Sequence, residues 1–428
     1  MNAFDSKLLE REEAGKPVAV AVVGAGQMGT EIISQIGEMR GMEVFVVVDL
    51  TLDRAAAGYA SSKKKADIVR TDILAEAEKA VAAGKRVATT DYRIATRLSQ
   101  VEAIVDATGQ VEMGAVVSMD AFDHKKHLVM MNVECDVTIG PMLHRLAKNA
   151  GVIYSLAAGD EPAACVELYR FANALGFEIV AAGKGKNNPL NIYSTPAIEQ
   201  PKADARKMSA RMLCEFVDGT KTAVEMAAVS NATGLVPDVR GMHGAKSTVP
   251  ELNKVFVPKK DGGVLDRKGV VDFAIGVHPG VFLVVTTDNE RIKEGLVQRD
   301  MGPGPYYTLY RPYHLCSIEV PLSIAQCVLY GESSGNPKGA LVSECIAVAK
   351  KDLKKSETLD GIGEFCYRGS IELAPVAKKE KLLPLGLAKG CILVKDVPRD
   401  TVITYDMVTM PKETVLLQLR RIQDQLYS

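Results

Sequence analysis

The sequence predicts an α/β protein with three parts: a Rossmann-type parallel sheet, an α+β substrate domain, and a small β-rich C-terminal domain. Three observations carry that prediction. Strand-length apolar runs alternate with helical stretches through the first 150 residues, the pattern of a parallel sheet with right-handed crossovers. A glycine fingerprint, Gly24-Ala25-Gly26-Gln27-Met28-Gly29, follows the first run. From Gly151 onward the rhythm gives way to polar clusters, and beyond Lys350 to short strands and turns. A length of 428 residues suits two or three domains at roughly 150 residues each. The boundaries expected are 1–150 for dinucleotide binding, with 310–350 packing back on it, 151–309 for substrate and catalysis, and 351–428 for the C-terminal domain.

Taken in order, Pro17–Val23 is an apolar strand, and Thr30 to Met39 reads as the helix after the glycine turn. In that setting Gly24 permits the turn, Gly26 lets the backbone approach a pyrophosphate, and Gly29 allows close helix–strand packing. Gln27 and Met28 open the helix, whose unpaired N–H groups suit an anion. The next strand, Met42–Val48, ends in Asp49, an acid placed to bind ribose hydroxyls. Asp49 favours NAD, whereas Arg54 and the Lys63-Lys64-Lys65 run could counter a 2′-phosphate; a solvated face is the plain alternative for that run. A helix over Ile73–Ala82, a strand over Arg86–Thr89, a strand and turn over Ala103–Gly109, a helix over Gly114–His124 and a strand over His127–Met131 continue the alternation. Ligands bind beyond C-terminal strand ends, so Thr108, Gly109, Asn132 and Glu134 should line the nicotinamide end.

The middle segment holds the polar groups that could do chemistry. Asp160-Glu161-Pro162 opens a helix, as a cap or as a catalytic pair. After a strand over Phe177–Ala182, Gly183–Asn191 reads as a loop whose Lys184, Lys186 and Asn188 suit an anionic, hydroxylated substrate. Lys221 and Glu225 are either an exposed i,i+4 pair or functional groups on a buried helix, since Val224–Val229 is otherwise apolar. Arg240, His243 and Lys246 share a glycine-rich loop. Gly302–Tyr307 is a breaker cluster and a candidate boundary. The helical stretch to Tyr330 should return to the dinucleotide domain, bringing Arg311 and His314 within reach of the cofactor. The tail adds short strands around Cys391–Val394 and Val397–Val408, then an amphipathic helix over Lys412–Leu426.

Composition narrows the function. Lys plus Arg numbers 52 against 53 for Asp plus Glu, which leaves no electrostatic footprint for nucleic acid or an anionic membrane. No apolar run reaches the ~18 residues of a membrane span, and Met1–Lys16 lacks the apolar core of a signal peptide. Eight scattered cysteines without a CxxC pair suit reduced thiols in a cytoplasmic protein.

The motif order GAGQMG, Asp49, DATG at 106–109, GKGKNN at 183–188, DGTK at 218–221, NATG at 231–234 and YRPYHL at 310–315 resembles the homoserine-dehydrogenase-like oxidoreductases. KGCILVKDVPRDTVITYDMV in the tail resembles a SAF domain, and together the resemblance spans nearly the whole chain. Within that group the chain looks most like the bacterial 1-deoxy-D-xylulose 5-phosphate reductoisomerase-like enzymes. It departs from homoserine dehydrogenases, which carry an Asn-Lys pair where Asn132 is here followed by Val133 and Glu134. The second family lysine falls at Glu225 or, one turn earlier, at Lys221.

This resemblance implies NADPH-dependent conversion of 1-deoxy-D-xylulose 5-phosphate to 2-C-methyl-D-erythritol 4-phosphate, by a homo-oligomer acting on a small phosphorylated keto-sugar. The alternative is an NAD(P)-dependent dehydrogenase of a homoserine-like or other small polar alcohol or semialdehyde. The cofactor contacts expected are Gly24, Gly26, Gln27, Met28, Gly29, Asp49, Arg54, Thr108, Gly109 and Asn132. Lys184, Lys186, Lys221, Glu225 and His243 are the catalytic candidates, and Lys184, Lys186, Asn188, Arg240 and Lys246 those for the substrate phosphate. A divalent metal, Mg²⁺ or Mn²⁺, would draw on Glu134, Asp160 and Glu225, since such ions prefer carboxylates and water.

Overall fold

The structure, a computed structural model, describes residues 3–427. The chain divides into two compact units. The first takes in residues up to 163, 315–336 and those from 414 on; the second comprises 164–314 and 337–413.

The first unit is built on seven parallel strands: β1 (Val18–Val23), β2 (Met42–Val48), β3 (Ile68–Arg70), β4 (Arg86–Thr89), β5 (Ala103–Asp106), β6 (His127–Met130) and β7 (Tyr154–Leu156). Their order is β3-β4-β2-β1-β5-β6-β7. Strand β1 is buried along its whole length, as a central parallel strand covered on both faces must be. It lies between β2 and β5, so the chain switches direction across the sheet there and leaves a crevice beyond the strand ends. The helix Gln27–Glu38 follows β1 and buries Ile32, Ile33 and Ile36.

The returning segment behaves as expected in part. The helix Cys316–Ala325 joins this unit, with Ser317 donating to Glu31 (2.9 Å) and Ser323 to Leu156 O (3.2 Å). The final helix, Val415–Leu426, also belongs here and not to a separate C-terminal domain. The Glu112 carboxylate accepts from Val415 N and Leu416 N at 3.0 and 3.1 Å, and Gln423 donates to Thr138 O at 3.2 Å. An anion at a helix N-terminus meets unpaired N–H groups and a favourable dipole, which fixes this helix to the sheet domain.

The second unit centres on a mixed sheet: β8 (Glu178–Lys186), β9 (Val236–Pro237), β10 (Val270–Ile275), β11 (Val281–Thr286) and β12 (Tyr306–Arg311), ordered β12-β11-β8-β10-β9. The glycine–proline cluster at 302–305 leads into β12 inside this unit, so it is no domain boundary; the units part at His314. The helix Thr220–Thr233 is buried over nearly its whole surface, as the apolar stretch around Glu225 suggested. The hairpin β13 (Ser343–Ala349) and β14 (Tyr367–Leu373) belongs to the same unit: Gly369 N donates to Thr220 Oγ1 (2.8 Å), and Val342 N to Asn231 Oδ1 (2.7 Å). The region from 337 to 413 is therefore part of the second unit and not a domain of its own.

Candidate functional site

In the first unit the glycine fingerprint has three distinct roles. Gly24 sits at φ +101°, and a Cβ there would lie 2.7 Å from Ala107 O. A Cβ on Gly29 would lie 1.8 Å from Gly24 O, so only glycine lets the helix approach the turn. Around Gly26 nothing lies within 4 Å of an added Cβ, and Gly26 and Gln27 are exposed at the helix N-terminus. That open cradle beside unpaired N–H groups is the shape a pyrophosphate needs, so the residues fit a nicotinamide dinucleotide. Met28 accepts from Ser317 Oγ at 3.0 Å and supports the helix from its other side.

Asp49 ends β2 with its side chain 5% exposed. Its Oδ2 accepts from Ala25 N (2.7 Å) and its Oδ1 from Leu50 N (2.7 Å), which ties it to the glycine turn. Arg54, 56% exposed, places its guanidinium 3.0 Å from the same carboxylate. The lysine run is taken up elsewhere: Lys63 pairs with Glu38, and Lys64 donates to backbone carbonyls, Met42 O at 2.7 Å among them. At the ends of β5 and β6, Asp106 accepts from Thr108 Oγ1 (2.7 Å) and Asn132 Nδ2 (3.3 Å). Burial pushes the Asp106 carboxyl up. Gly109 takes φ +60° next to this network, and Glu134 is buried in the first turn of the helix Val133–Ala150.

In the second unit the reading of Gly183–Asn191 as a loop needs correction. Residues up to Lys186 belong to β8, which runs between β10 and β11 in the sheet interior. The glycines that suggested a loop are there for close strand packing. A Cβ on Gly185 would lie 1.7 Å from Val277 O, and one on Gly183 would lie 2.4 Å from Asp272 O. Lys184 and Lys186 alternate with them on one face of the strand, and both are buried. Lys184 Nζ forms an ion pair with Glu225 from the buried helix. Lys186 Nζ donates to Phe216 O at 2.6 Å, its one acceptor among the described residues. Burial, reinforced by the Lys184 charge, lowers the Lys186 ammonium to about 8.

The remaining candidates disperse. Lys221 is half-buried at the start of the helix Thr220–Thr233. Asn188 accepts from Arg206 at 3.2 Å in the loop after β8, and Lys246 is exposed beside Ile275. Arg240 is not an open phosphate clamp: Glu372 and Glu380 both hold its guanidinium. His243 is bound by Asp272 at Nδ1 (2.8 Å) and lies 3.6 Å from Asp238 through Nε2. The Asp272 hydrogen bond raises its pKa, and Asp272 and Asp238 together hold the ring in place in the loop. Arg311 lies 3.4 Å from Glu167. Of the expected metal ligands, Glu134, Asp160 and Glu225 are all buried, and Glu225 is paired with Lys184. All eight cysteines are free of disulfides, and no helix among the described residues is long and apolar enough to cross a membrane.

Sequence reasoning missed the pair of Lys350 and Asp218, buried with Nζ 2.6 Å from the carboxylate. Their separation of 132 positions leaves no local pattern that links the two.

Comparison with known proteins defines the class. A family model described as oxidoreductase DRL, catalytic domain, matches residues 159–320. No curated protein matches the chain. Among solved structures, a probable dehydrogenase from Thermotoga maritima is similar at 14% identity and TM-score 0.41, over 75% of this chain and 90% of its own. Myo-inositol 2-dehydrogenase from Lactobacillus plantarum is similar at 11% identity and TM-score 0.40, over 76% of this chain and 92% of its own. Catalytic-domain match and dinucleotide cradle together make the chain an NAD(P)-dependent oxidoreductase. The homoserine-dehydrogenase-like, reductoisomerase-like and SAF-like resemblances receive no support from these matches.

Proposed function

We propose that the protein reduces the carbonyl of a small, polar, anionic substrate, or oxidises the matching alcohol, with NADPH as preferred coenzyme. The observation that carries this reading is Lys186: a buried ammonium lowered to about 8, with one of its three N–H donors on Phe216 O. Burial is how a lysine is brought into the range where it serves as an acid or base near neutral pH. The bound coenzyme supplies the hydride. Lys186 gives a proton to the oxygen on which negative charge develops, and recovers it in the reverse direction. Lys184, held by Glu225, keeps a fixed positive charge beside that oxygen, and a preorganised charge needs no rearrangement as the reaction proceeds.

The NADPH preference rests on Arg54, whose exposed guanidinium offsets the Asp49 charge that would otherwise repel a 2′-phosphate.

The test is NADPH consumption with a panel of ketones and aldehydes, phosphorylated and not, including 1-deoxy-D-xylulose 5-phosphate with and without Mn²⁺. Turnover of simple carbonyl compounds without metal supports the dehydrogenase reading. Formation of 2-C-methyl-D-erythritol 4-phosphate, dependent on Mn²⁺, would replace it with the reductoisomerase one. Coenzyme binding without turnover of any member would overturn both.

A further inference from the structure

Three side chains with metal-binding atoms converge on the face of the second sheet turned away from Lys184 and Lys186. On β10, Asp272 stands opposite Gly183 of β8 and Phe273 opposite Lys184, so Asp272 points to the other face from the two lysines. There its carboxylate accepts from His243 Nδ1 (2.8 Å), His243 N (3.2 Å), Gly244 N (3.0 Å) and Phe273 N (2.8 Å). These donors fix Asp272, and Asp272 in turn fixes the ring. A carboxylate only accepts, so Nδ1 carries the proton and Nε2 the lone pair of the neutral imidazole. Among the described residues Nε2 makes no hydrogen bond; Asp238 Oδ2, 3.6 Å away, is beyond that reach.

Asp238 follows β9, and its side chain is fully buried. Its Oδ2 accepts from Asp266 N at 2.7 Å, whereas its Oδ1 is buried without a hydrogen-bond partner. Asp266 brings a third ligand: one atom each from Asp238, His243 and Asp266 lie within 4.8 Å of one another. Ligands bound to a tetrahedral zinc at ~2.0–2.1 Å stand roughly 3.3–3.5 Å apart. The separation of Nε2 from Asp238 is thus close to a ligand spacing and too long for a hydrogen bond. Two cations lie near and hold the carboxylates only loosely. Arg267 Nε stops 3.5 Å from Asp238 Oδ1, and Lys259 meets Asp266 at 2.7 Å. Both cationic side chains are more than half exposed, and exposed ion pairs contribute little. A buried carboxylate oxygen left unpaired is costly, and a divalent cation relieves it.

We propose that Asp238, His243 and Asp266 form a zinc site that clips the loop after β9 to the segment 258–266, with water as the fourth ligand. Zinc takes the place of a proton on Nε2, and Asp272 keeps the ring aimed at it, as a carboxylate behind a ligating histidine does. The site uses none of Glu134, Asp160 and Glu225 and does not depend on the redox reading above. Zinc chloride is titrated calorimetrically into the full-length protein in a non-chelating buffer, and Co²⁺ replaces zinc for an absorption spectrum. One saturable zinc per chain is expected, with a higher melting temperature at saturation. The Co²⁺ form should show d–d bands without a thiolate charge-transfer band, since the cysteines take no part. Affinity should fall at least tenfold in H243Q and in D266N. The Asp266 side chain is 52% exposed, so D266N retains the fold and keeps the test open should H243Q fail to fold. No saturable binding, a thiolate band in the Co²⁺ form, or a D266N affinity within twofold of wild type would overturn the proposal.

Discussion

Lys186→Met separates a chemical role from a structural one, because the opposing effects on stability can be estimated. Lys186 is 6% exposed, and its pKa of about 8 lies roughly 2.4 below that of a free lysine. At ~1.4 kcal/mol per unit, keeping it charged in the fold costs about 3 kcal/mol below pH 8. Its folded pKa is depressed, so the unfolded chain binds more protons between pH 8 and about 10.4, and this cost is relieved as pH rises through that window. Methionine removes the cost but leaves Phe216 O without its 2.6 Å donor, a loss of ~1–3 kcal/mol. The two nearly cancel, so the melting temperature at pH 7 should stay close to wild type, and the stability gain between pH 8 and 10.4 should vanish. Turnover should behave differently. Removing a general acid lowers kcat by ~10²–10⁴-fold, and the fall in reduction rate above pH 8 should disappear with it. The assay is steady-state NADPH consumption across pH, with thermal unfolding on the same samples. A kcat within about twofold of wild type, with the alkaline limb intact, would refute the assignment of Lys186 as the proton donor.

Other perturbations test the remaining links. Gly26→Ala should weaken NADPH binding at least ~10-fold with an unchanged melting temperature, since an added methyl meets no protein atom. Gly29→Ala should instead cost ~1–3 kcal/mol of stability or more, because its methyl lands on Gly24 O; calorimetry on both variants distinguishes them. Arg54→Ala should lower the NADPH-over-NADH ratio of kcat/KM by at least ~10-fold, or ~1.4 kcal/mol, and an unchanged ratio would leave Asp49 as the discriminating group. Asp136, buried against the Tyr154 hydroxyl at 2.7 Å, is pushed up to about 7 by burial. Its raised folded pKa means stability is highest near pH 4 and falls as pH rises towards 7, by up to ~4 kcal/mol; Asp136→Asn should flatten that slope in urea unfolding.

What was legible in the sequence follows from the range of the interactions concerned. The glycine fingerprint, Asp49 and the strands β1, β2, β5 and β6 are set by neighbours within one βαβ unit, where period and turn chemistry are written locally. Lys184 and Lys186 were legible as site candidates but not as strand residues. Alternating glycines look like a loop until the strands on both sides are known, and only the approach of Val277 O to Gly185 reveals why glycine is there. The final helix shows the same limit. Its amphipathic pattern requires a surface to cover one face, yet nothing in residues 412–426 identifies Glu112 as the carboxylate that caps it. Charge is the hardest to read. Arg240 and Lys186 are alike in sequence, each a cation among glycines and polar groups. One is held by two carboxylates more than a hundred residues downstream, and the other keeps N–H donors to spare against a single carbonyl. A cation's availability for chemistry is a property of its partners, and those are supplied by tertiary packing. The proposal for Lys186 therefore rests on the acceptors the fold leaves out around it.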